Sequence, residues 1–252
     1  MFTVLALLSE KLVPYDVLFN KPQSDVKGDV IHAFVNESMS ILGILSIPII
    51  ASVMFFPSFW PTTLPLWLQV LFAVLIADVG ITLAHYTSHK FRLLWRFHAV
   101  HHSIKRLYGF NGLMKHPLHQ AFETFVGTTP LLLLGIPQDV LMLLVVAVVL
   151  QLLLQHSNVA YFTGPFKYLW SVNAIHRFHH LNTAKEGDVN FGLFTTMVDH
   201  LLGTFYYDNK RKISVSDLGI SSQPKYPKTY WQQLLAPFKQ KNPMVRENTQ
   251  GS

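Results

Sequence analysis

Thirteen of the 252 residues are histidine, and eleven of those lie between positions 85 and 180. Their spacing says more than their number. His85-Tyr-Thr-Ser-His89 sets two imidazoles four residues apart. On a helix such residues share one face with Cβ atoms about 5–6 Å apart, so both rings can reach one metal ion. His98-Ala-Val-His101-His102 and His176-Arg-Phe-His179-His180 each offer i, i+3 and i+4 positions. Neighbouring residues diverge by about 100° around a helix, so an HH pair is suited to supplying one ligand to each of two metals. A lone HxxxH is more often a surface pair than a site, but two HxxHH clusters and one HxxxH together exceed coincidence. There is no cysteine, which excludes disulfides, thiolate zinc sites, the usual iron–sulfur clusters and a haem thiolate. The fourteen carboxylates are too few in the right places for the Glu and Glu-x-x-His sites of soluble di-iron bundles. Zinc is redox-inert and needs four ligands, whereas imidazole-coordinated iron can bind and activate dioxygen.

The elements that must hold these residues read as membrane helices. Charged residues make up 13% of the chain, about half the share in an ordinary soluble domain. Ser38 to Ala77 contains no charge at all, enough for two spans of about 20 residues. Pro57, Trp60, Pro61, Thr62, Thr63 and Pro65 form a turn between them, with Trp60 and Trp67 placed as interfacial aromatics. Spans are expected near 36–56 and 66–86, with Pro48 kinking the first, and a second hairpin near 118–134 and 139–156, turning at Gly135-Ile136-Pro137. The turns 57–65 and 135–139 carry no Lys or Arg, so all twenty basic residues fall on the other side. By the positive-inside rule that side is cytoplasmic. The expected architecture is all-α: an integral-membrane four-helix bundle of two hairpins, with a cytoplasmic helical cap carrying a histidine-rich di-metal site. The whole chain, 1–252, reads as one domain. Met1–Leu8 is too short and lacks the basic start of a signal peptide, and reads as an interfacial helix. The net charge of +6 fits attraction to anionic lipid. The basic residues are scattered, which argues against nucleic acid as a partner.

The order HYTSH, HAVHH, HRFHH, separated by membrane hairpins, resembles the fatty acid hydroxylase superfamily, the membrane di-iron family that includes sterol desaturases and C4-methylsterol oxidases. Leu94-Trp95-Arg96-Phe97, His102-Ser103, Lys115-His116-Pro117-Leu118, Asn190-Phe191-Gly192 and Asp199-His200-Leu201-Leu202-Gly203-Thr204 are similar to further family segments, so the likeness runs from about Asp78 to Tyr206. It implies two irons, replaceable by zinc on isolation, held by His85, His89, His98, His101, His102, His156, His176, His179 and His180. No catalytic group beyond these ligands is assigned. It further implies O₂-dependent hydroxylation or desaturation of a sterol or fatty acyl chain in lipid biosynthesis. Electrons would come from a cytochrome b5-like or ferredoxin-type donor with its reductase. The membrane would be the endoplasmic reticulum in a eukaryote and the inner or plasma membrane in a bacterium. Fatty-acid 2-hydroxylases carry another histidine where this chain has Ala160, a departure that favours the sterol-desaturase-like branch and leaves Asn158 or water to fill the gap.

Roles in supporting the metal ligands or meeting the substrate are expected for His116, His119 and Glu123, aligned at i, i+3 and i+7, and for Asp78, two turns deeper than His85 and able to orient an imidazole of a neighbouring helix. Asn190 and Asp199 join them through the family segments. His200 is expected to be structural, His32 an interfacial histidine, and Tyr230–Phe238 an amphipathic segment on the cap or membrane. A multi-pass zinc-binding or metal-transport protein remains open, although transporters place ligands at the bilayer midplane. A catalytically inactive metal-binding relative also remains open.

Overall fold

Proline punctuation delimits the long helices. Pro65 and Pro137 occupy the positions just before Leu66–Lys90 (α2) and Gln138–His156 (α5), where a missing N–H breaks no intrahelical bond. Pro117 opens Pro117–Leu133 (α4) in the first turn. In the computed structural model, which describes residues 8–53 and 58–239, the further α-helices are Val26–Val53 (α1), Arg92–His102 (α3), Asn173–His179 (α6), Ala184–Gly187 (α7), Met197–Leu202 (α8) and Tyr230–Lys239 (α9), besides a helical stretch over 8–12 and short 3-10 turns. The described residues are helical, with isolated β-bridges and no strand. Among them, α2 and α5 are long and apolar enough to cross a membrane. The expected helix over 1–8 lies outside the described residues save for Leu8.

α1 runs continuously from Val26, ten residues before the expected start of the first span. The added turns are held from outside the helix: Asn36 Nδ2 donates to the carbonyls of Leu113 (3.1 Å) and Lys115 (3.0 Å). His32 is fully buried, its ring nitrogens 2.9 Å from Lys115 O and 3.0 Å from Gln233 Oε1. It is therefore a packed joint between α1, the 104–115 loop and α9, and not an interfacial residue.

α2 packs along α4 and α5, and α1 lies against the same two helices. The α2–α4 contact is close because two glycines face each other. A Cβ on Gly80 would lie 2.8 Å from Val126 O and 2.9 Å from Gly127 Cα. The two turns between these helices meet at one end, where Phe59 N donates to Leu134 O (3.0 Å). Trp60, expected at an interface, is instead buried there among Leu131, Ile136 and Val140. Its indole N–H donates to Gln69 Oε1 (2.8 Å), which lets the ring enter the core with its polar atom satisfied. Trp67 stays exposed.

The other end is closed by a second core in which Phe19, Trp95, Val100, Leu107, Phe178 and Leu218 come together. The N-terminal segment is bound to this cap by buried polar groups. Glu10 Oε1 accepts from Gly109 N (2.7 Å) and Asn158 N (2.9 Å), and Arg106 pairs with both Asp25 oxygens (2.6 and 3.1 Å). Replacing Gly80 with leucine should force α2 and α4 apart and destabilise the fold by about 1–3 kcal/mol. Thermal unfolding in detergent checks this, and an unchanged midpoint would contradict the close glycine contact.

Candidate metal centre

Four elements converge at the cap end of α2 and α5. The last turns of α2 carry His85 and His89, α3 carries His98, His101 and His102, and α5 ends on His156. α6 carries His176 and His179, with His180 just beyond it. The nine rings fall into two buried groups: His85, His89, His98, His102 and His179, and His101, His156, His176 and His180. Within each group one nitrogen per ring lies within 4.8 Å of all the others. The adjacent pairs 101/102 and 179/180 are divided between the groups, the outcome of their angular divergence on the helix.

Hydrogen bonds alone do not account for this arrangement. His156 Nε2 is 3.2, 3.1 and 3.1 Å from the Nε2 atoms of His101, His180 and His176. An imidazole nitrogen offers one in-plane hydrogen or one lone pair, so it cannot satisfy three such neighbours. In the first group, His98 Nε2 is 3.1 Å from His85 Nε2 and 3.0 Å from His102 Nε2, which is itself 3.0 Å from His179 Nε2. Imidazole nitrogens each about 2.1 Å from one ion would be separated by about 3.0–3.4 Å. The donor sets therefore fit one cation per group.

The far nitrogens explain the aim of the rings. Nδ1 of His85 lies 2.9 Å from Phe191 O, that of His101 3.0 Å from Met114 O, that of His156 3.0 Å from Leu152 O, and that of His179 2.8 Å from Val189 O. His89 Nδ1 lies 3.0 Å from Asp188 Oδ1. An N–H donated at Nδ1 leaves the Nε2 lone pair facing the centre. Burial, reinforced by the surrounding imidazoles, holds His98, His102, His176 and His180 well below the usual histidine range, so they stay neutral donors. Phe191 stands edge-on to His85, His89 and His179, and Trp95 packs beside His89 and His102, forming an apolar wall.

Several expected supporting residues have other partners. Asp78 orients no imidazole: it accepts from Phe194 N (2.7 Å), Thr195 N (3.0 Å) and Thr195 Oγ1 (2.6 Å). Lying two turns below His85, it reaches the loop under the rings instead. Asp199 accepts from Phe191 N and Gly192 N (both 2.8 Å), so it fixes the segment whose carbonyl meets His85. A Cβ on Gly192 would collide with Thr195 O, so only glycine passes there. Asn190, with φ 54°, brackets Tyr206 through its N (2.8 Å) and O (2.8 Å). Asn158 fills no ligand gap, because its side chain joins Asp16 and Asn20. His116 caps α4, with Nδ1 accepting from Leu118 N (3.1 Å) and Nε2 directed to Leu234 O (3.1 Å). That extended N-cap backbone turns its ring away from both groups. His200 lies near Tyr168 O, outside the centre.

His119 and Glu123 do reach the first group. The His119 ring is 4.3 Å from that of His98, its Nε2 is 3.0 Å from Ser88 Oγ, and its Nδ1 is 3.7 Å from Glu123 Oε2. Glu123 pairs with the buried Lys115 ammonium at 2.5 Å, which accounts for a carboxylate in an apolar helix. The role of Lys115, which the sequence showed only inside a family-like segment, and Asp188 altogether escaped the sequence reading. Neither has ligand spacing, and the carbonyls that anchor four of the rings leave no sequence signal at all.

The fold and this imidazole-lined centre define a helical protein whose two buried histidine groups could each hold a metal ion. Residues 70–204, just over half of the chain, match the fatty acid hydroxylase family, and the chain belongs to that family. It is also similar to the ornithine lipid hydroxylase OlsE of Rhizobium tropici, with 33% identity over 243 residues covering 93% of this chain and 72% of the relative. No solved structure matches it.

Because unfolding exposes histidines that titrate near pH 6.5 while the folded ones stay neutral, the unfolded state gains protons as pH falls. The metal-free protein should be stable above about pH 6.5 and lose stability progressively below it. Thermal melts at a series of pH values test this, and a flat profile between neutral and mildly acidic pH would refute it.

Proposed function

We propose that this chain is a four-pass membrane hydroxylase that inserts oxygen from O₂ into a C–H bond of a membrane lipid. The observation that carries the reading is the convergence of nine buried imidazoles into two groups with metal-like nitrogen spacing. The chain's match to the fatty acid hydroxylase family and its likeness to a lipid hydroxylase support hydroxylation. The name of the Rhizobium relative makes an ornithine lipid the first substrate to test.

In this reading α1, α2, α4 and α5 cross the bilayer, and the histidine end faces the cytoplasm with all twenty basic residues. The nine histidines hold two irons, which when bound supply the redox capacity to activate O₂. His85, His89, His101, His156 and His179 keep Nδ1 engaged with carbonyls or Asp188, so their Nε2 atoms remain neutral and aimed inward. Phe191 and Trp95 exclude water from the first group, and His119, beside His98, carries the influence of the Glu123–Lys115 pair. The site lies where apolar helices give way to the cap, so a lipid reaches it sideways while electrons arrive from the cytosol. The donor is a separate cytochrome b5-like or ferredoxin-type protein with its reductase.

Purified protein should contain two irons, consume O₂ when given reductant and lipid, and yield a product heavier by one oxygen atom in mass spectrometry. Bound iron without reductant-dependent O₂ uptake would sink the oxygenase reading. His179→Ala should lose at least a hundredfold in activity and bind less metal. Retention of both would refute its assignment as a ligand.

A further inference from the structure

One buried charge takes no part in the centre just described. Arg177 lies between His176 and His179 on α6, on a different side of the helix from either ring. It is 5% exposed. Its Nη2 donates to Val159 O at 2.8 Å and more weakly to Ser157 O at 3.4 Å. The guanidinium carbon lies 3.8 Å from the centre of the Tyr15 ring. Nε has no hydrogen-bond partner, and no carboxylate among the described residues forms an ion pair with the group. Other buried arginine charge in this protein is matched, as Arg106 is by Asp25. Two carbonyls and one ring face offset only part of the desolvation of a guanidinium, which is normally buried beside an anion.

Arg177 lines a polar cavity of about 210 Å³, together with Arg211, Tyr161, Thr163, Tyr207 and Asn209. Arg211 is already paired with Glu186. The one carboxylate in the lining, Asp208, accepts from Lys210 N (2.8 Å). Ala160, where related 2-hydroxylases carry histidine, is exposed and also lines this cavity, not the metal centre. Flanking it, Phe162 is 100% exposed, and Phe166 and Leu169 are also exposed. Lys167 lies between them, its ammonium 4.5 Å from the Tyr207 ring. Exposed aromatic and aliphatic residues beside a lysine are the composition of a segment lying at the membrane surface.

We propose that this cavity is an anion site in which the unpaired Arg177 receives the phosphate or carboxylate of a lipid head group. A guanidinium carries five N–H donors in a fixed fork, only part of which the two carbonyls engage here, and that fork matches the oxygens of such an anion. The site lies on the helix that carries His176 and His179, so a lipid head group would be held against the element that bears the centre. The lipid as source of the anion rests on the membrane-hydroxylase reading above; the anion site itself does not.

The test uses the full-length, metal-loaded protein in a neutral maltoside detergent, following thermal unfolding with three probes. These are dioctanoyl phosphatidylglycerol, uncharged dioctanoylglycerol and sodium phosphate. The anionic amphiphile should raise the unfolding midpoint, and the uncharged one should not. Arg177→Gln should weaken the response at least tenfold. Ala160→Trp, which fills the cavity while leaving Arg177 in place, should do the same and covers the case in which Arg177→Gln fails to fold. An equal response to the uncharged amphiphile, or an undiminished response in Ala160→Trp, would overturn the site. A response to phosphate that the acyl chains do not strengthen would overturn the head-group assignment in favour of a free anion. An Arg177-dependent shift in protein that hydroxylates no lipid would leave the anion site standing and the hydroxylase reading refuted, and hydroxylation without any shift would do the reverse.

Discussion

Nine neutral bases buried within a few ångströms of one another, with their lone pairs turned inward, repel unless something positive lies between them. Much of the rest of this structure can be understood as arranging and enclosing that convergence. A ring is aimed by what its other nitrogen touches, and four of the nine touch main-chain carbonyls at Leu152, Met114, Val189 and Phe191. The backbone must therefore be held as firmly as the side chains. That requirement explains why a chain with so few charges places several of them out of solvent.

The buried carboxylates meet it. Asp78 and Asp199 clamp the two halves of the 191–195 segment by accepting main-chain N–H groups. Glu10 does the same for Gly109 and Asn158. A carboxylate can accept more donors at once, and hold them more strongly, than a neutral side chain of similar size. Acidic residues here organise backbone and imidazoles organise the centre. Asp188, against His89, and Glu123, beside His119 and Lys115, stand between the two duties.

The two ends of the helical hairpins differ in kind. At one end the turns meet through Trp60, Gln69 and the Phe59–Leu134 hydrogen bond, and no histidine is present. At the other, α1, the 104–115 loop and α9 interlock through His32, Asn36 and Gln233. Arg177 belongs to this second end but faces away from the imidazoles. One turn of α6 thus serves two polar environments, with ring nitrogens on one side and an unmatched cation on another.

Residue type and period alone settled much: helical character, the punctuation of the long helices by Pro65 and Pro137, and which histidines share a face. These are local properties, governed by side-chain spacing over a few residues. Partnerships between distant segments were not legible. Whether Asp78 meets an imidazole or an amide, whether His116 turns in or caps a helix, and whether Trp60 lies at a surface or in a core depend on contacts across more than fifty positions. The carbonyls behind the rings are the extreme case, because every residue carries one and only the folded chain selects four. Sequence determined that imidazoles would gather in HxxHH and HxxxH sets. Tertiary structure decided how they divide into two groups and what holds each ring, because hydrogen-bond direction is a property of relative position and not of residue order.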